Sequence, residues 1–288
     1  MISNNMEAPF VRSFHFRFLT TCLLVLLCSM VSAQKRVSVL GDSYSAYYGY
    51  VYPETNFCYY YPTKGDTDVR KVEQMWWWQV INHFGWTLER NCSFSGSFVC
   101  DAREIDLDVS SYSFVERMKD LGNPDVILIE GGTNDAWWDS PIGEYKYQNI
   151  TSDDLRYFRP ALAKLLSWTI THYNAAVYFV LNSGLRSAVD ESVRTICDHY
   201  GVGCIKMPDG MDRQDNHPTI YGMQQISSKI ISFIDAHPPV PTSIAAPFSE
   251  GNYQEEWYSL DGQRMNTPRK GINIMRTRDG KWKKQVVR

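Results

Sequence analysis

A serine, a glycine, an asparagine and a histidine stand in four short segments of this chain whose contexts suit acyl transfer. Ser43 lies in Gly41-Asp42-Ser43-Tyr44-Ser45, a tight glycine turn placed directly after the β-type run Val37-Ser38-Val39-Leu40. An α/β protein presents a nucleophile in this way, at the carboxyl end of a strand. Gly96 closes Asn91-Cys92-Ser93-Phe94-Ser95-Gly96, Asn134 stands in Gly131-Gly132-Thr133-Asn134-Asp135, and His217 in Asp215-Asn216-His217-Pro218-Thr219. Taken singly, each is ordinary. Gly-Asp-Ser and Gly-Gly are turn chemistry, Asn134 could cap a helix, and a histidine before proline is commonly a loop residue. Taken together they supply a hydroxyl nucleophile, an imidazole base, a backbone N–H and a side-chain amide donor. His83, His172, His199 and His237 fall in helical or linker contexts and read as structural or solvated.

The elements that must position these groups follow from periodicity. Val37–Leu40 reads as a strand, and Val72, Met75, Trp76, Val80 and Phe84 fall at helical spacing, so Val69–Phe84 reads as an amphipathic helix. A short strand is expected at Thr87–Arg90. Asp125-Val126-Ile127-Leu128-Ile129-Glu130 is a near-continuous apolar run, the pattern of a strand buried on both faces. Ser152–Tyr173 reads as a helix in which Pro160 predicts a kink or a split. Val177–Leu181 reads as a strand, Ser187–Tyr200 as a helix, Gly203–Lys206 as a short strand, and Met223, Ile226, Ile230 and Ile234 mark a closing helix. Strands alternating with helices imply an α/β fold, a three-layer α/β/α sandwich around a parallel sheet. Loops after parallel strands share one rim, which would bring Ser43, Gly96, Asn134 and His217 together.

The rest of the chain bounds the function. Its 288 residues are 44% hydrophobic and 21% charged, enough for one sizeable core. A formal net charge of −3 gives no basic field for nucleic acid. Arg12 and Arg17 precede an apolar run from Leu19 to Val31 that ends in Val31-Ser32-Ala33, which reads as a secretory signal peptide cleaved after Ala33. The run is short and broken by Thr20, Thr21 and Ser29, which argues against a membrane anchor. Export would place the mature protein outside the cytoplasm or at the cell surface, with no membrane span. Cys58, Cys92, Cys100, Cys197 and Cys204 remain; Cys92/Cys100 and Cys197/Cys204 are near enough in sequence to pair, and spacing does not fix the connectivity. No metal-ligand spacing occurs, so neither a metal nor another cofactor is expected. Domain 34–236 is followed by a Pro-rich linker, 237–254, starting at His237-Pro238-Pro239-Val240-Pro241. Residues 255–288 read as a short β segment with hairpin signals at Asp261-Gly262 and Asp279-Gly280.

The four segments resemble the four blocks of the SGNH hydrolase superfamily, the GDSL esterase/lipase family. They occur in family order over roughly Arg36 to Ala236, and Gly131-Gly132-Thr133-Asn134-Asp135 after an apolar strand is the most specific. The resemblance implies a flavodoxin-like sheet, Ser43 as nucleophile and His217 as base. It also implies an oxyanion hole from the N–H groups of Ser43 and Gly96 and the amide of Asn134. The family places an aspartate three residues before the histidine, where this chain has Gln214. Asp212 or Asp215 would then orient His217, or a backbone carbonyl would do so in a Ser–His dyad. Trp137, Trp138 and Tyr44, with the other tyrosines near Ser43, suit stacking on sugar rings or simple packing. The tail resembles short C-terminal β segments of exported Bacteroidetes proteins, some used for sorting. The expected function is a secreted serine esterase acting on acyl esters, chiefly O-acetyl groups on carbohydrate. A lipid esterase or thioesterase of the same fold and a non-catalytic carbohydrate-binding module are the alternatives.

Overall fold

The computed structural model describes residues 34–63, 67–107, 109–242, 256–259, 264–265, 267–276 and 282–287. The expected signal peptide, most of the linker and the hairpin signals at Asp261-Gly262 and Asp279-Gly280 lie outside the described residues. Among the described residues no helix is long and apolar enough to cross a membrane.

Five parallel strands form the central sheet: β1 (Arg36–Gly41), β2 (Thr87–Asn91), β3 (Val126–Gly131), β4 (Ala176–Leu181) and β5 (Gly203–Lys206). Their order is β2-β1-β3-β4-β5, the flavodoxin-like arrangement. The order reverses between β1 and β3, so the segments carrying Ser43 and Asn134 leave neighbouring strands at the switch point, where open α/β sheets bind ligands. β3 and β4 are buried along their whole length. Side-chain alternation divides them between two cores. Leu40, Ile127 and Ile129 pack with Phe114, Phe158, Leu162 and Leu166 on one face. Val37, Val39, Val126 and Leu128 pack with Trp76, Trp77, Val80, Met223 and Ile230 on the other. The helices are α1 (Trp76–His83), α2 (Phe114–Arg117), α3 (Thr133–Trp137), α4 (Phe158–His172), α5 (Ser187–Tyr200) and α6 (Ile220–Ala236). Burying one large apolar side chain contributes about 1.5–3 kcal/mol, which is what holds these helices to the sheet.

Two expected helices are shorter than their apolar pattern. Val69–Phe84 resolves into a 3₁₀ turn at Val72–Gln74 and α1, broken at Met75, whose backbone is extended (φ −68°, ψ 140°). Ser152–Tyr173 resolves into a 3₁₀ turn at Asp154–Arg156 and α4, broken at the extended Tyr157. Pro160 is the third residue of α4. An N–H there has no intrahelical acceptor, so the proline lies in the first turn without breaking it.

A two-strand hairpin, β6 (Arg213–Gln214) and β7 (His217–Pro218), precedes α6 and was not anticipated. The start of the Pro-rich stretch returns to the sheet: Thr242 N–H donates to the Ala175 carbonyl and its hydroxyl accepts from Val177 N–H, each at 2.9 Å. A separate antiparallel sheet, ordered β11-β10-β8-β9, comprises β8 (Glu256–Tyr258), β9 (Arg264–Met265), β10 (Gly271–Arg276) and β11 (Trp282–Val287).

Candidate active site

The serine turn is built around close backbone approach. A Cβ on Gly41 would lie 2.5 Å from Ser45 Cβ and 2.8 Å from Ser93 Oγ, so only glycine fits the end of β1. Asp42 Oδ1 accepts the N–H of Tyr44 at 3.0 Å, and its carbonyl accepts the N–H of Ser45 at 3.2 Å. Ser45 is the anchor. Its hydroxyl donates to Glu130 Oε2 at 2.9 Å and accepts from Trp76 Nε1 at 3.2 Å. Its carbonyl takes Trp77 Nε1 at 3.0 Å and Asn91 Nδ2 at 2.9 Å. Asp42 and Ser45 are fully buried while Ser43 keeps 7% exposure.

The histidine arrives from the far end of the sequence. Asp215 and Asn216, the two residues between β6 and β7, have φ of 47° and 62°. Positive φ at both positions is the signature of a two-residue type I′ hairpin, and Asp and Asn tolerate it better than other side-chain-bearing residues. The turn presents the Asp215 carbonyl to His217 Nδ1 at 2.9 Å, while Nε2 lies 2.9 Å from Ser43 Oγ. A carbonyl only accepts, so Nδ1 carries the hydrogen and Nε2 keeps its lone pair for the serine hydroxyl. That is the tautomer a general base needs. The Asp212 carboxylate is placed elsewhere: it receives the hydroxyl of Thr219, whose oxygen caps α6 by accepting Gly222 N–H at 3.1 Å. Tyr44 OH donates to the Asn216 carbonyl at 2.5 Å, and Arg213 bonds Asn182 Oδ1 at 2.8 Å, fixing the hairpin to the turn and to the end of β4.

Gly96 has φ of 81° and a Cβ there would meet nothing within 4 Å. The main-chain N–H groups of Ser43 and Gly96 have no acceptor among the described residues. Asn134 donates one amide hydrogen to the Ser97 carbonyl at 2.9 Å, leaving the second. Asp135 ties the same two loops: its carboxylate accepts Val99 N–H at 2.9 Å and Cys100 N–H at 3.3 Å. Burial raises the Asp135 pKa, and these backbone donors oppose the rise. The arrangement can accept a proton from the Ser43 hydroxyl at His217 Nε2.

The model of the GDSL-like Lipase/Acylhydrolase family matches residues 35–234. The chain belongs to this family. A crystal structure of a candidate GDSL-like lipase from Bacteroides ovatus is 46% identical, with a TM-score of 0.69 over 71% of this chain and 100% of that one. A second, from Bacteroides uniformis, is 45% identical, with a TM-score of 0.68 over 70% and 96%. A structure from Lactobacillus plantarum, 20% identical with a TM-score of 0.53 over 72% and 99%, shares the fold. No curated protein matched the chain. Family membership makes the protein an ester-hydrolysing serine hydrolase.

Within this GDSL-like hydrolase the aromatic expectations divide. Of the two readings open for Tyr44, the structure favours packing: it is fully buried, tilted against His217 at 5.5 Å between ring centroids, and bonds the hairpin at Asn216. Trp137 and Trp138, at the end of α3, are 48% and 58% exposed. Three contributors were missed. Tyr59 stacks on His217 with centroids 3.4 Å apart and planes 9° apart. Arg117, on α2, donates to the carbonyls of Cys92 and Gly41 and to Ser97 Oγ, joining the ends of β1 and β2 to the loop that follows Gly96. Burial lowers its pKa to about 10. Glu130, on β3, receives Ser45. Its only sequence signal was a charge ending an apolar run. Of the cysteine pairs, Cys92 bonds the Asp120 carbonyl and Cys100 contacts Ser140, whereas Cys197 and Cys204 are free thiols close enough to influence each other's ionisation. Among the described residues no cluster could hold a metal ion.

Proposed function

We propose that this GDSL-like hydrolase is an exported carbohydrate esterase that removes O-acetyl groups by a Ser–His dyad. The observation that carries the mechanism is the relay from the Asp215 carbonyl through His217 to Ser43 Oγ, two contacts of 2.9 Å each. As His217 Nε2 takes its proton, Ser43 Oγ attacks the ester carbonyl. The tetrahedral oxyanion is met by the N–H groups of Ser43 and Gly96 and by Asn134 Nδ2; one such donor is worth about 10²–10³ in turnover. The intermediate collapses to acetyl-Ser43, and the sugar hydroxyl leaves with the proton from His217. Water then adds to the acetyl carbonyl with His217 again as base, releasing acetate and restoring the serine. The carbonyl of Asp215 holds the ring in place of the missing carboxylate at Gln214.

The exposed Trp137 and Trp138, one turn beyond Asn134, support a sugar-bearing alcohol, since exposed indoles offer flat apolar faces to pyranose rings. The run ending at Ala33 supports export. The test is acetate release from acetylated xylan and from p-nitrophenyl acetate, with Ser43→Ala as the blank and longer acyl chains in parallel. Release above the blank on both acetyl substrates is expected. Faster turnover of long chains would replace the carbohydrate reading with a lipid one.

A further inference from the structure

Beneath Ser43 lies a pair of acids that the hydrolytic steps do not use. Asp42 follows the end of β1, and Glu130 on β3 is paired in register with Gly41. Both are 0% exposed, and their carboxyl groups interact directly with each other. One oxygen of each is accounted for: Asp42 Oδ1 accepts from Tyr44 N–H, and Glu130 Oε2 accepts from the Ser45 hydroxyl. The two oxygens left over, Asp42 Oδ2 and Glu130 Oε1, are buried and receive no donor among the described residues.

Two carboxylates cannot satisfy each other. Each oxygen only accepts, and two like charges in one dry site repel. A single proton between them removes both deficits. It supplies the missing donor, and it cuts the buried charge from two to one. We propose that Glu130 is a protonated positioning residue whose carboxyl donates to the Asp42 carboxylate and so locks the Ser43 turn to β3 at the register His217 requires. This inference rests on Ser43 being the nucleophile.

The surroundings fit that assignment. Burial is the largest influence on both acids, raising Asp42 to about 6 and Glu130 well above the ordinary carboxyl range. The negative charge of each acid disfavours ionisation of the other, so one proton shared between them is the stable state. Around the pair, Arg117 from α2 favours the anion on Asp42, and Asp135 from α3 disfavours it. Tyr60, from the loop after β1, is held neutral chiefly by burial, and the charges of both acids add to that; Trp76 reaches the cluster from α1 through Ser45. Loss of the shared proton at alkaline pH would set two anions against each other under the nucleophile and open the turn.

The test combines a spectroscopic and a kinetic readout. Infrared difference spectra of the wild-type protein should show a protonated carboxyl carbonyl band at neutral pH that disappears on raising the pH, in step with a fall in kcat. Glu130→Gln, which keeps an N–H donor for Asp42, should lose the band, retain kcat at neutral pH and lose the alkaline fall. Glu130→Leu, checked for folding by thermal denaturation, should lower kcat about 10²-fold at nearly constant KM, the scale of an ångström-sized misplacement. The proposal is overturned by a wild-type protein with no such band at neutral pH, or by Glu130→Gln and wild type sharing one alkaline limb. Full turnover in Ser43→Ala would instead sink the nucleophile assignment while leaving the infrared result standing.

Discussion

Ser43 and His217 meet at 2.9 Å, yet they are held by different kinds of structure. The serine turn sits on the central sheet, with its neighbours Asp42 and Ser45 fully buried and four separate side chains converging on Ser45. The histidine stands on a two-residue hairpin whose turn is exposed and whose course depends on two left-handed residues. Ser43 is therefore fixed by long-range packing and His217 by local backbone geometry. Such a division places the burden of ring orientation on φ at Asp215, where the family pattern would put it on a carboxylate.

The sharpest way to break this comparison is to remove either partner. Ser43→Ala and His217→Ala should each lower kcat on the order of 10⁶-fold, and the double variant should cost little more, because the two act as a unit. A pre-steady-state burst assay checks this; additive losses would show that they do not. Asn134→Ala should lower kcat about 10²–10³-fold with smaller change in KM. It also removes the Ser97 contact, so a circular dichroism melt must accompany the kinetics.

Smaller effects sharpen the contrast between the two halves. A carboxylate that orients the base is worth about 10⁴ in kcat when changed to its amide. Asp215→Asn and Asp212→Asn should both fall within about tenfold of wild type, since the carbonyl survives in each. A 10⁴-fold loss in either would restore the carboxylate model. Asp215→Val should be worse than Asp215→Asn, because a β-branched residue at positive φ costs about 1–2 kcal/mol. Tyr59→Ala removes a stacked ring worth about 0.5–1.5 kcal/mol and should lower kcat about two- to tenfold.

The smallest effect concerns stability. Burial raises Asp42 to about 6 and Glu130 above its usual range, so the folded state binds these protons more tightly than the unfolded chain. Their contribution is fully present below the unfolded carboxyl range of about 4 and is lost as pH rises through about 6 and beyond. Urea melts should therefore weaken with rising pH in that window less for Glu130→Gln than for wild type.

Much of this molecule was legible in its sequence because the signals were local. β3 announced itself as an apolar run, Ser187–Tyr200 as an amphipathic helix, and the segments carrying Ser43, Gly96 and Asn134 as glycine-bearing turns after strands. Tyr44 stayed open between sugar stacking and packing because an aromatic beside a serine turn reads the same whether it faces solvent or core. Glu130 and Arg117 were missed because a charge in or beside an apolar element gives no sign of its partner. Tyr59 was missed because 158 residues of chain separate it from the ring it covers.

The sequence by itself determined the alternation of strands and helices, the glycine turn that carries Ser43 at the end of β1, and the absence of an aspartate at Gln214. Those features are set by periodicity and turn chemistry, which act over a few residues. Tertiary structure decided which group holds His217, which tyrosine stacks on it, and which two acids share the space under Ser43. Each of these depends on atoms distant in the chain coming within about 3 Å, a distance that propensity and spacing do not encode.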